Sequence, residues 1–134
     1  MTVYLAGMRA TADRMNDHSL EDSTTSGLVA GTDWTVNSFS GRKVNGITTV
    51  HIYLQYTGTT VAIAYNTNLS DRTIATLPDG WRPPEVINAL AGDGQTMGEV
   101  TIGTTGLVSL RAMAGDLTNG RNFRITAEWI SENG

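Results

Sequence analysis

Apolar and polar residues alternate along most of this chain, and the longest alternating run is ITTVHIYLQYT, residues 47 to 57. Val50, Ile52, Leu54 and Tyr56 fall on one face of it, and Thr49, His51, Tyr53 and Gln55 on the other. Side chains on a strand point to opposite faces in turn, so this spacing predicts a strand with one buried and one half-polar face. The same pattern recurs in NFRITAEWI (122–130), where Phe123, Ile125, Ala127 and Trp129 share the apolar side. Shorter versions appear at WTVNSF (34–39), VAIAY (61–65), RTIATL (72–77), PEVINALAG (84–92), MGEVTIG (97–103) and GLVSLRA (106–112). Turn-forming glycines, asparagines and aspartates separate them. Gly41 is read as the end of the first strand, and TGTT as a turn that pairs 47–57 with 61–65 as an antiparallel hairpin.

These runs make about eight short strands with no comparable helical segment among them. The expected fold is all-β: an antiparallel β-sandwich or jelly-roll-like domain over residues 34–134.

The first residues follow a different period. Leu5, Met8, Ala12 and Met15 are spaced three and four apart, the a/d seam of a heptad, with Arg9, Asp13, Arg14 and Asp17 beside it. A short α-helix over residues 1–22 is expected to anchor or trimerise the chain. Two heptads are too few to hold a helix without a partner, so the seam packs on its own domain, on copies of itself or on another protein. Residues 23–33, rich in Ser, Thr and Gly, read as a linker.

All three prolines lie in TLPDGWRPPEV, residues 76–86. Pro78 presets the first corner of a turn and Gly80 accepts a positive φ; Pro83 and Pro84 then leave the corner as a stiff extended arm. Proline cannot donate to a sheet ladder, which places this arm at an edge or between sheets. It carries Trp81 either into packing or onto a contact surface, with Arg82 beside it.

Composition narrows the partners. A length of 134 residues fits one domain that buries roughly two-thirds of its unfolded surface. The formal charge is −4 and the nine Lys and Arg are scattered, which argues against nucleic acid. No apolar run approaches the roughly 18 residues of a spanning helix, so no membrane insertion is expected. No basic leader with an apolar block opens the sequence, so no secretory signal is expected. Cysteine is absent, so packing or assembly must supply what disulfides would.

The units Thr76-Leu77-Pro78, Gly80-Trp81-Arg82-Pro83, Val100-Thr101-Ile102 and Gly106-Leu107-Val108 follow one another in the order strand end, glycine-aromatic-Arg-Pro corner and hairpin. In this they resemble the distal β-sandwich domain of bacteriophage fibre and receptor-binding-type virion proteins. GMRATADRMND, residues 7–17, resembles the short helical openings of phage minor structural proteins. The resemblance implies a homotrimer in the virion of a phage of Gram-positive, actinobacterial-type hosts, assembled in the host cytoplasm. The implied partners are other virion proteins through the N-terminal helix, and a host cell-wall glycan or surface protein. Unlike long fibres, the sequence has no collagen-like repeat and no extended heptad shaft, so a capsid decoration or head-fibre protein docked by that helix is the alternative.

Catalytic signatures are missing. His18 and His51 lie in different elements without metal-ligand spacing, no G-x-S-x-G occurs, and GDGQTMG (92–98) lacks the lysine of a phosphate loop. The acids sit mostly beside turns, where Asp caps backbone groups and Glu is solvated. A noncatalytic protein with no cofactor or metal is therefore expected. Its candidate contact residues are Trp81, Arg82, Tyr53 and His51, with Leu5, Met8, Ala12 and Met15 for oligomerisation or anchoring.

Overall fold

A computed structural model describes residues 21–63 and 68–131. The helix expected at the N-terminus, with Leu5, Met8, Ala12 and Met15, lies outside the described residues. The described chain is all-β and antiparallel, as the alternation predicts. Its nine strands are β1 (Asp22–Thr24), β2 (Val29–Ala30), β3 (Trp34–Val44), β4 (Ile47–Tyr56), β5 (Asn68–Thr76), β6 (Ile87–Gly92), β7 (Met97–Ile102), β8 (Leu107–Met113) and β9 (Asn122–Ile130).

They form one curled sheet, ordered β1-β3-β4-β9-β6-β7-β8-β5-β2, rather than two separate sheets. The joint is narrow, because β6 meets β9 only at Ala91–Ile125 and Gly92–Arg124. β2 pairs with β5 at one end of the sheet and runs through three residues into β3 near the other. The sheet thus folds over itself like a half-barrel, and one face looks inward. On that face lie Val50, Ile52 and Leu54 of β4, Phe123 and Ile125 of β9, and Val100, Ile102, Val108 and Leu110 of β7 and β8, all buried in one cluster. Burying each such side chain contributes about 1.5–3 kcal/mol.

Two features of β3 depart from the sequence reading. The strand does not stop at Phe39 but runs through Gly41 to a two-residue Asn45-Gly46 turn, both with positive φ (52° and 84°), the hairpin geometry that suits the twist of the flanking strands. Gly41 is inside the strand because the Trp81 ring packs on it: a Cβ there would sit 2.8 Å from Trp81 Cε3. A glycine within a strand marks such a close approach. The second feature is a bulge between Val36 and Ser38. Trp34 and Val36 pair with inward residues of β4; past the bulge it is Phe39 that pairs with Ile52, so Ser38 and Ser40 turn to the outer face.

The expected hairpin between 47–57 and 61–65 does not form. Both edges of β4 are taken, by β3 and by β9, and Val61 instead makes an isolated bridge with Leu117. Residues 64 and 65 of that run lie outside the described residues. In the segment read as a linker, β1 pairs with β3 and β2 with β5.

Thr48 is fully buried and shares a 2.5 Å hydrogen bond with the Ser131 hydroxyl, tying the start of β4 to the residue after β9. Thr48→Val keeps the shape and strands that hydroxyl. It is expected to cost about 1 kcal/mol, read as a lower urea midpoint at unchanged m-value.

Candidate functional site: a trough on the outer face

The outer face of β3, β4 and β9 is where the polar half of each alternating run meets its neighbours. Register sets three rows across the strands: Ser38–Tyr53–Arg124, Ser40–His51–Thr126 and Arg42–Thr49–Glu128. Residues opposite one another on adjacent strands lie close enough to act together. The Arg124 guanidinium stacks 4.2 Å from the centre of the Tyr53 ring, and Thr49 donates to Glu128 at 3.1 Å. Where the first row nears the turns, Asn37 donates to Asn122 at 2.9 Å.

Three depressions run together along this face. One of about 630 Å³ lies by the β1 edge, floored by Gly41 and flanked by Thr24, Arg42 and Ile47. It shares Ser40 and His51 with a second of about 360 Å³, which shares Tyr53 and Arg124 with a third of about 580 Å³. The third ends among Gly92, Gly94, Gly120 and Arg121. The resulting trough crosses from β1 to β6, about 19 Å at the usual strand spacing of about 4.8 Å. Beside the β3–β4 turn the row Val44–Ile47–Ile130 leaves Ile47 and Ile130 exposed.

His51 and Tyr53, expected on the half-polar face of their strand, both line the trough. Trp81 and Arg82 do not. Trp81 is 8% exposed, packed inside the curl against Gly41, with the Lys43 ammonium 4.5 Å from its ring centre and bonded to the Gly80 carbonyl. Arg82 is half-buried, and its Nε donates to the Leu77 carbonyl at 3.1 Å, bracing the proline corner. Of the two roles open to Trp81 from the sequence, packing is the one its surroundings describe. Ser40, Thr126, Arg121 and Arg124 complete the trough; the alternation puts Arg124 and Thr126 on an outward face, but only the β4–β9 register sets them beside Tyr53 and His51.

Chemically this is a binding surface of hydroxyls, a phenol ring, an imidazole and guanidinium groups. Two carboxyl groups some 5–10 Å apart are what glycoside cleavage demands, and no such pair lines the trough among the described residues. No group of His, Asp and Glu suited to a metal occurs among the described residues either. Compared with protein-family models and with curated proteins, the chain shows no match.

Proposed function

We propose that this chain is a noncatalytic virion protein of a bacteriophage, of the fibre or receptor-binding type, which grips a host cell-surface glycan along the outer trough. The observation that carries the binding reading is the continuity of the three depressions through Ser40–His51 and Tyr53–Arg124. An extended ligand needs such a path, and a sugar chain suits a lining of hydroxyls around an aromatic ring. The phage assignment rests on the resemblance of the Gly80-Trp81-Arg82-Pro83 corner and its flanking strands, a corner that packs Trp81 into the fold. A β-sandwich-like trimer is part of the proposal. The exposed Ile47–Ile130 pair and a sheet whose end strands are only three and two residues long suit a domain that closes its edges against symmetry mates.

Two measurements test it. Light scattering on a sizing column is expected to give the mass of three 14.3 kDa chains; a single-chain mass would overturn the trimer. Labelled full-length protein is expected to bind host cells and isolated cell wall. Binding to undecorated capsids instead, lost when residues 1–20 are removed, would make it a capsid decoration protein.

A further inference from the structure

The β6–β7 end of the trough has a charge pattern that the rest lacks. Arg121 and Arg124 both line the third depression, and neither has a carboxylate partner among the described residues, where the ion pairs are Arg42–Glu21 and Arg111–Asp71. Both guanidinium groups are held by neutral groups instead. Arg121 donates to the Gln95 side-chain carbonyl, and Arg124 lies over the Tyr53 ring. The backbone beneath is pinned: Tyr56 N–H donates to the Arg121 carbonyl at 2.9 Å, Gly120 N–H to the Tyr56 carbonyl at 2.8 Å, and the Gln55 amide to the Gly120 carbonyl at 3.3 Å. Arg121 is thereby fixed to the end of β4 and is not carried on a free loop.

Among the described residues, the one acid on the rim is turned onto its own loop. Asp93 Oδ1 accepts the backbone N–H groups of Gln95 and Thr96 at 2.8 and 2.7 Å, closing the β6–β7 turn. Gly92, Gly94 and Gly120 leave the space open, since a Cβ at any of them would meet nothing within 4 Å. In a chain of net charge −4, two positioned guanidinium groups with no carboxylate partner among the described residues, facing an open depression, are an arrangement that favours an anion. Arginine's planar fork matches the oxygens of a carboxylate or phosphate, and such charge-assisted bonds are about twice as strong as neutral ones.

We infer that this end of the trough recognises an anionic group on the glycan, a carboxylate or a phosphodiester, held between Arg121 and Arg124 and next to the Tyr53 ring. The inference rests on the glycan-binding reading of the trough and adds the charge class of its ligand.

Titration calorimetry on the full-length protein tests it with three oligomers of equal length: a neutral glucan, a glucuronic-acid-containing glycan and a poly(glycerol phosphate). At about 50 mM salt one anionic oligomer is expected to bind about tenfold more tightly than the neutral one, and the gap is expected to close at about 500 mM, where screening is strong. Whichever anionic oligomer leads identifies the source of the charge. In Arg121→Gln and in Arg124→Gln the anionic-to-neutral affinity ratio should fall towards one, while far-UV circular dichroism stays unchanged. Equal binding of neutral and anionic oligomers overturns the inference and leaves the glycan reading standing. An anionic preference that survives both substitutions also overturns it. No binding of any oligomer overturns the inference and the glycan reading together.

Discussion

Trp81→Ala is expected to destabilise the protein by about 3–5 kcal/mol, the range for emptying a buried tryptophan site. The ring is buried inside the curl, on Gly41 of β3 and under the Lys43 ammonium. Pro83, also buried, and the Arg82–Leu77 bond hold the corner, so the site has little freedom to collapse onto the void. A second substitution makes the expectation specific. Gly41→Ala alone drives its Cβ to within 2.8–2.9 Å of the rigid indole and should cost about 1–3 kcal/mol. With Trp81→Ala the indole is gone, so the double variant should be less destabilised than the sum of the two single ones, by about 1 kcal/mol or more. Urea unfolding at one fixed protein concentration gives all three values. Additive losses, or a Trp81→Ala cost below about 1 kcal/mol, would mean that the indole is not the wedge holding β3. The wedge bears on the proposed binding surface because Ser40 and Arg42, either side of Gly41, face the trough from the opposite side of the same strand.

The parts of this fold that the sequence reveals are those with a strict two-residue period. β4 and β9 are buried at every second residue, and both were legible because each has one face in the core and one towards solvent. Legibility fails where a long-range contact decides the outcome. Gly41 reads as a break, yet it is a place for an indole that arrives from forty residues away along the chain. VAIAY reads as a strand, but a strand needs a free edge, and the edges of β4 are filled by partners that no local pattern names. Residues 57–63 are held instead by the 116–119 segment, through paired Val61–Leu117 bonds, Asp116 on the Ile63 N–H and Asn119 on the Gly58 carbonyl. β1 and β2 are too short to show any period.

The site divides in the same way. His51 and Tyr53 could be singled out because they stand on the half-polar side of a strong strand. Ser38 and Ser40 could not, since simple alternation from Trp34 would put them inside, and only the bulge before Ser38 reverses the faces. Arg121 sits at a turn, where an arginine reads as ordinary solvated charge. Its position is set by hydrogen bonds to the end of β4 and to Gln95, across separations in sequence that no local spacing encodes.

Tyr53→Ala is expected to weaken glycan binding about thirtyfold or more, the effect of removing a hot spot worth about 2 kcal/mol. Tyr53 is the residue for this test because it lines both the second and third depressions, so a ligand passing from one to the other must cross its ring. Its contribution to stability is small by comparison. The side chain is half-buried on the outer face, and the stack with Arg124 is worth about 0.5–1 kcal/mol. Affinity and stability therefore separate: the variant should unfold within about 1 kcal/mol of the wild type while losing most of its binding. Tyr53→Phe keeps the ring and should bind within about threefold of the wild type if stacking dominates, because the phenyl face is retained. Equal losses in the two variants would shift the contribution from the ring to the hydroxyl. Full binding by Tyr53→Ala would remove the middle of the trough from the contact surface, and with it the continuity on which the extended-ligand reading depends.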